Sequence, residues 1–430
     1  MAVEKRTPLP VSDAVTRVME HVQQPQLDWV NIENAYGRFL AQDLTADHDV
    51  PSFDRSPYDG FAIIADNSKN ASREQPVTFE VIAEIGAGSV YDEEVKDFQA
   101  VRIMTGAKIP ADCNAVVMLE LVHEFQENNK KYISIKRPFQ SGDNISFQGE
   151  DTKKGTALVE KGTYINPGIH ALLATFGYSK VPVAKKPVIG VIATGSELLE
   201  VNEPLSPGKI RNSNAYMILA QIEKAGGSAI YFGKLADDFD TCLQAVQDAL
   251  EQVDILITTG GVSVGDYDYV PAILKELNAD VLFNKVAMRP GSVTTVAAIG
   301  SKLFYGLSGN PSACYVGFEL FARPIIRRAL FSTKPHLRKT KALLGADFPK
   351  PNPFTRFVRA SLSDEDGKYA AVPAGLDKSG SVTSLAEADA FIVLPGGTRG
   401  YKEGMEVDIL LLEDKQGSEW PWNNIVPSYR

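Results

Sequence analysis

Three short segments rich in glycine and hydroxyl side chains are the parts of this chain best suited to chemistry. They are Thr194, Gly195, Ser196 and Glu197, then the run 259–266 with Gly260, Gly261, Ser263, Gly265 and Asp266, and then Ser308, Gly309, Asn310 and Pro311. Glycine lets backbone approach a ligand closely and reach positive φ, so successive N–H groups and hydroxyls can cradle an anion without a cationic side chain. One such segment alone reads as a tight strand-to-helix turn, but three at one expected sheet edge read as an anion site. Pro311 also has a structural reading as the first residue of a helix, and both readings hold together because a helix start is itself an anion site. Glu197, Asp237, Asp238, Asp266 and Asp268 stand beside these segments. Carboxylates next to a phosphate cradle make electrostatic sense when a cation bridges them, and Mg²⁺ takes one or two carboxylates with substrate phosphate oxygens. A Mg²⁺ site using Glu197, Asp266 and Asp268 is therefore expected. Taken singly, each carboxylate reads equally as an exposed loop charge or a helix N-cap, Asp238 above all. Lys285 and Arg289, in the run 284–292 between two strands, read either as oxyanion ligands or as solvated charges.

The elements that must position these residues follow from periodicity. Between 187 and about 330, short apolar or β-branched runs of the kind buried on both faces of a parallel sheet alternate with helical patterns. Ala215, Ile218, Leu219, Ile222 and Ala225 repeat at helical spacing before Gly226 and Gly227, and Phe239, Leu243, Val246 and Leu250 do so after Asp238. This is the pattern of a doubly wound α/β domain, whose ligands bind outside the carboxyl ends of the strands. Residues 12–48 read as helical and then irregular, with Ser12 and Asp13 as N-cap candidates, and helix returns at Asn166 and Pro167 to stop at Gly177. From 76 to 138 alternating runs between turn residues read as strands, and strands return over 338–413 as a small barrel or sandwich. In the strand-rich insert, Asp59 and Gly60 read as a tight turn between aromatic residues, and 104–107 as a strand-to-turn transition. The fold class is thus α/β and multidomain. It comprises a discontinuous helical linker domain at 7–50 and 145–180, a β-rich insert at 51–144, the α/β domain at 181–332, a C-terminal β-barrel at 338–413 and a tail at 414–430. The tail holds two of the three tryptophans and reads as a docking strap or an ordered end.

Bulk properties narrow the function classes. A chain of 430 residues suggests two to four domains at roughly 150 residues each. Its 44% hydrophobic and 23% charged content is that of a soluble globular protein. A net charge of −10 argues against a nucleic-acid binder. No apolar segment suggests a signal peptide or a membrane span, so a cytoplasmic location is expected. Cys113, Cys242 and Cys314 are far apart in apolar surroundings and read as buried reduced thiols, while none of the five histidines pairs at metal-ligand spacing. Any metal should be a hard ion held by oxygen.

Six motifs stand in the order seen in the MoeA family of molybdopterin molybdenumtransferases, which includes the E domain of gephyrin. They are S-P-Y-D-G-F-A at 56–62, R-I-M-T-G-A at 102–107, G-E-D at 149–151, T-G-S-E at 194–197, G-G-V-S-V-G-D-Y-D-Y at 260–269 and G-L-S-G-N-P at 306–311. The chain resembles that family from about residue 7 to 413. The resemblance implies a homodimer of four-domain subunits, with a MogA-like α/β domain that binds molybdopterin. Its active site would lie between the α/β domain of one subunit and the β-rich domain of the other. It also implies the reaction: adenylylated molybdopterin and molybdate enter, the dithiolene takes the metal, and AMP leaves with Mg²⁺ assistance. Carried onto matching positions, Asp59, Thr105 and Asp151 contribute from the β-rich side, and Glu197, Asp237 or Asp238, Asp268, Lys285 and Arg289 from the α/β side. Arg356 or Arg359, and Ser379 or Ser381, fall where the family has cleft-facing polar groups. The three glycine-rich segments and Pro290, Gly291 and Ser292 would bind substrate. Many members carry K-P-G-K where this chain has Arg289, Pro290, Gly291 and Ser292, so a hydroxyl replaces one cation, and Ser308 stands where others have proline. A MogA-type adenylyltransferase is the candidate partner. Two alternatives remain on the residues alone: an adenylyltransferase or other mononucleotide-processing enzyme, which the α/β domain resembles by itself, and a non-catalytic scaffold like gephyrin.

Overall fold

The apolar strands Val188–Ala193, Ile255–Thr259 and Lys302–Leu307 are buried along almost their whole length, as strands covered by helices on both faces must be. They lie side by side in a six-stranded sheet of order Ser228–Lys234, Val188–Ala193, Ile255–Thr259, Lys302–Leu307, Thr295–Ile299, Asp280–Phe283. The computed structural model describes residues 7–235, 238–261, 269–350, 353–365, 367–397, 400–414 and 416–423. These fall into two compact units: Met1–Gln42, Lys161–Ala174 and Tyr178–Arg430 form one, and Asp43–Glu160 with Thr175–Gly177 the other.

In the first unit the leading four strands of the sheet run parallel, while Thr295–Ile299 and Asp280–Phe283 run antiparallel. The run over 295–299 thus differs from the parallel pattern of its neighbours. Ile299 pairs with Lys302 across a turn with Gly300 at φ 59°, and strands joined that closely can only form a hairpin. The helix Ser213–Ala225 buries Ala215, Ile218, Ile222 and Ala225, as its spacing predicted, and Gly226 ends it at φ 99°. Helix Val11–Met19 buries Val11, Ala14, Val15 and Val18, but it begins before the expected caps: Pro10 precedes it and no side chain caps it. The Leu9 amide instead bonds the Lys285 carbonyl at 3.0 Å, which brings the chain in on a tertiary contact. Part of the region read as irregular is the strand Leu27–Asn31, paired antiparallel with Lys180–Ala184. Asn166 caps helix Pro167–Thr175 as expected, accepting from the Ile169 amide at 2.9 Å.

The C-terminal strands close a five-stranded barrel, with Thr355–Glu365 paired to both Lys368–Pro373 and Ala390–Leu394, and Arg338–Leu344 and Glu406–Leu411 completing the ring. A two-residue strand, Met288–Arg289, adds to the barrel alongside Thr355 and Arg356. It carries the 288–292 segment of the α/β region to the barrel wall. The described part of the tail, 416–423, is tied to the body of the first unit. Ser418 and His336 exchange backbone hydrogen bonds at 3.0 and 3.2 Å, Trp422 is buried in the main core, and the His336 ring meets Trp420 and Trp422 edge-on at 5.7 Å each. Burial, with Arg323 nearby, lowers the His336 imidazole from 6.5 to about 4.

The second unit is built on another six-stranded sheet, with Gly60–Ile63 between Ala115–Met118 and Gln99–Ile103. Phe61 and Ile63 face one core and Ala62 the other. Gly60 is not the turn glycine that its neighbour Asp59 suggested: it opens this central strand, and a Cβ there would stand 2.1 Å from the Val117 carbonyl oxygen. Close approach of two backbones excludes any side chain. Cys113, Cys242 and Cys314 are all buried and none is in a disulfide, and burial pushes the Cys113 thiol up to about 12. No described helix is long and apolar enough to cross a membrane.

Two outcomes follow from this packing. Gly60→Ala, meeting rigid backbone, should cost about 3 kcal/mol, read as a lower urea midpoint for the second unit; an unchanged midpoint would show that the strands can part. A histidine whose folded value is lowered withholds no stability above its unfolded value of 6.5 and loses its contribution as pH falls towards 4. The melting temperature should therefore drop over that window, and His336→Phe should flatten part of the drop.

Candidate functional site at the strand ends and the barrel loop

The three glycine-rich segments leave the carboxyl ends of three adjacent parallel strands, so topology brings them to one rim. The Gly260 amide donates to the Leu307 carbonyl at 2.8 Å, and the Thr194 amide to the Thr259 carbonyl at 3.3 Å. A Cβ on Gly260 would stand 2.8 Å from the Thr194 carbonyl oxygen, and one on Gly309 3.7 Å from the Gly260 Cα. Gly195 and Gly260, at φ 138° and 108°, let the backbones close to that distance. Two polar side chains hold the rim from behind: Lys209 Nζ donates to the Ser196 carbonyl at 2.6 Å and Asn214 Nδ2 to the Gly309 carbonyl at 2.8 Å. Pro311 opens the helical run Pro311–Gly317, with Asn310 before it making no side-chain cap.

Glu197 is exposed at this rim, its carboxylate folded back over Gly195. Among the described residues that carboxylate has no hydrogen bond or ion pair. Asp238 takes the N-cap role that stood as its alternative, accepting from the Thr241 amide at 2.9 Å and hydroxyl at 2.6 Å, and these bonds lower its carboxyl. Asp237, Ser263, Gly265, Asp266 and Asp268 lie outside the described residues.

A cavity of about 710 Å³ opens where the 289–292 segment faces the barrel. Arg289, Pro290, Gly291 and Ser292 line it, together with Arg356, the register partner of Arg289, and residues 376–383, including Ser379 and Ser381. Of the two arginines expected as alternatives here, Arg356 lines the cavity and Arg359 does not. Arg359 is 1% exposed, donating from Nε to Ser384 Oγ at 2.9 Å and from Nη2 to the Leu376 carbonyl at 3.1 Å. Alternation along a strand explains the split, since positions three apart face opposite sides. Arg356 lies 3.5 Å from Asp377 and 5.4 Å from the Phe348 ring centre. Lys285 is half-buried and outside the cavity lining. The cavity loop is stitched to the rim, because the Ser312 amide donates to the Ser379 carbonyl at 2.9 Å and its hydroxyl to the Ser381 carbonyl at 2.7 Å.

In the other unit two motifs lock together. Asp59 Oδ1 accepts from the Thr105 amide at 2.7 Å and the Thr105 hydroxyl at 2.8 Å. Those bonds, amide first, hold its carboxyl below the usual 3.8 although it is exposed, and Arg102 adds to the effect. Gly106, at φ 84°, turns the chain so that its amide reaches the Ser56 carbonyl at 2.8 Å. Asp151 follows Gly149 on an exposed bend, its amide bonded to the Val50 carbonyl at 3.1 Å. Among the described residues its carboxylate has no partner.

Comparison with known proteins now bears on these sites. Residues 9–177 match the model of the MoeA N-terminal region (domain I and II), 190–328 that of a probable molybdopterin binding domain, and 341–412 that of the MoeA C-terminal region (domain IV). The chain is 61% identical over 421 residues to a molybdopterin molybdenumtransferase of Bacillus subtilis (strain 168), covering 98% of each. The chain belongs to the MoeA family. A molybdopterin molybdenumtransferase of Staphylococcus aureus (strain COL) is 49% identical over 97% of this chain and 99% of its own. A solved MoeA protein of molybdopterin biosynthesis from Pyrococcus horikosii, 31% identical, superposes with a TM-score of 0.82 over 95% of this chain and 100% of that one.

MoeA-family regions thus cover the rim, the cavity and the Asp59–Thr105 pair alike, so the α/β domain does not stand alone as an adenylyltransferase would have it. Sequence reading missed Lys209 and Asn214, which support the rim, and Asp377 and Lys378 in the cavity loop. The loop itself had a signal, since 375–381 repeats the glycine and serine content of the strand-end segments after a strand. If Thr105 sets the Asp59 carboxyl, Thr105→Val should move its NMR-observed titration up towards 3.8 without reaching it, because the amide bond survives; no movement would assign the whole shift to the backbone.

Proposed function

We propose that this MoeA-family chain is a molybdopterin molybdenumtransferase of molybdenum cofactor biosynthesis, taking molybdate and adenylylated molybdopterin and releasing AMP. The observation that carries the assignment is 61% identity, end to end, to a relative of that name. The cavity supports the division of labour. Molybdate is a tetrahedral dianion, and Arg289 and Arg356, register partners on neighbouring strands, with the Ser292 and Ser379 hydroxyls in the same cavity lining, suit its oxygens. The backbone cradle at the strand ends suits the phosphates of the adenylylated pterin, which need N–H donors more than bulk.

Mg²⁺ belongs to this proposal. Glu197, an unpaired carboxylate beside an N–H cradle, fits an ion that takes one or two carboxylates and substrate phosphate oxygens, and Asp266 and Asp268 are proposed to join it. When bound, the ion neutralises phosphate charge as AMP departs. Gly195, Ser196 and Gly309 are proposed to present their amides to the phosphates, while Thr194 and Gly260, whose own amides bond the Thr259 and Leu307 carbonyls, shape the cradle that Asn310 and Pro311 complete. Asp59, kept ionised by Thr105, is proposed as a catalytic carboxylate, with Asp151 beside it in role. A homodimer, a cytoplasmic location and hand-over from a MogA-type adenylyltransferase complete the reading.

Purified full-length protein should release AMP from adenylylated molybdopterin only when molybdate and Mg²⁺ are both supplied. Arg289→Ala and Arg356→Ala should raise the KM for molybdate roughly tenfold or more with a smaller change in kcat. Asp59→Asn and Asp268→Asn should lower kcat by about 10² or more. AMP release at full rate without molybdate would make the protein an adenylate hydrolase and sink the assignment.

A further inference from the structure

The cationic wall of the cavity already faces an anion of the chain's own. Asp377 Oδ2 lies 3.3 Å from Lys350 Nζ and 3.5 Å from Arg356 Nη1, and its Oδ1 3.9 Å from Arg359 Nη2. Its side chain is 13% exposed and lines the cavity. Beside Arg356 on the neighbouring strand, Arg289 is exposed and, among the described residues, has no ion-pair partner. The loop carrying Asp377 has other anchors. Arg359 bonds Ser384 Oγ and the Leu376 carbonyl, and Ser312 bonds the Ser379 and Ser381 carbonyls. The carboxylate is therefore not what gives the loop its shape, and it stands where an incoming anion would meet Arg356.

We propose that Asp377 is a built-in competitor for the oxyanion: it neutralises Arg356 in the empty cavity and opposes the bound anion, so that it sets affinity and exchange at this site. The proposal rests on reading the cavity as the oxyanion site. A pocket holding Arg289, Arg356 and Lys378 with no internal counter-charge would retain any abundant anion, since like and unlike charges a few ångströms apart in a half-buried site interact by roughly kilocalories. Asp377 makes each anion repel one negative charge and displace one ion pair, so weak monovalent anions are cleared.

Calorimetric titration of molybdate into the full-length protein tests the idea, using wild type, Asp377→Asn, Asp377→Ser, Arg356→Gln and the Asp377→Asn, Arg356→Gln pair. Both Asp377 variants should bind molybdate about tenfold more tightly, chloride should compete more strongly against them than against wild type, and the gain should vanish without Arg356. Unchanged or weaker binding in both variants, or a gain that survives loss of Arg356, would overturn the role. So would loss of the melting transition in both, which would make Asp377 the anchor of its loop. Absence of molybdate binding in wild type and variants alike would instead remove the oxyanion reading of the cavity, and the competitor with it.

Discussion

A guanidinium buried away from solvent is costly unless its donors find the chain around it, and Arg359 spends Nε and Nη2 on the loop that lines the cavity, its Nη1 having no partner among the described residues. Burial lowers the ease of carrying its charge while Asp377 restores part of it. Removing such a group would leave the Leu376 and Lys378 carbonyls and the Ser384 hydroxyl without this donor, which costs more than the bonds contribute net. The loop 376–384 has little apolar substance of its own, and its position consequently rests on Arg359, on the strand face turned away from the barrel core, and on Ser312. Everything that depends on this loop inherits that dependence: the cavity lining it shares with Arg289, the placement of Asp377, and the carbonyls that receive Ser312.

From there the chain of dependence reaches the strand ends. Ser312 sits in the first turn of the helix that follows Gly309 and Asn310, where amides have no partner within the helix. Two of its polar groups are satisfied by the barrel loop, and Gly309 is held from the other side by Asn214. The cavity and the strand-end cradle are thus parts of one hydrogen-bonded assembly, which suits a reaction whose two substrates, an oxyanion and a phosphate ester, must be positioned with respect to each other.

What could be read from residues alone was the part governed by short-range rules. Periodicity placed the helices over 213–225 and 239–252, and parallel topology required that segments following Ala193, Thr259 and Leu307 share a rim. The misreadings have a common cause in tertiary contact. Gly60 is glycine because of Val117, far away in sequence, and Pro10 begins a helix because Leu9 is bound to Lys285. Within the alternating runs of 76–138, the strand Ala115–Met118 ends in a 3₁₀ turn at Leu119–Leu121, where the Leu119 amide reaches the Asp59 carbonyl. The choice between Arg356 and Arg359 was available in principle, since strand alternation allows only one of them to face the cleft, but the register had to be known first. Nothing in the local pattern marks Asp377 as facing three cations.

The shared bonds of Ser312 bear on how such a protein can be assembled in evolution. A helix start that hands its amide and hydroxyl to another module is not self-sufficient: cut away from the barrel, it would turn those groups to water and relax the segment that shapes the cradle. Gene fusion or recombination that joined these modules therefore could not exchange one freely for a homologous piece. The serine on one side and the glycine-serine loop on the other form a molecular handshake, and lineages that swap either partner would have to rebuild it before the cradle regained its shape.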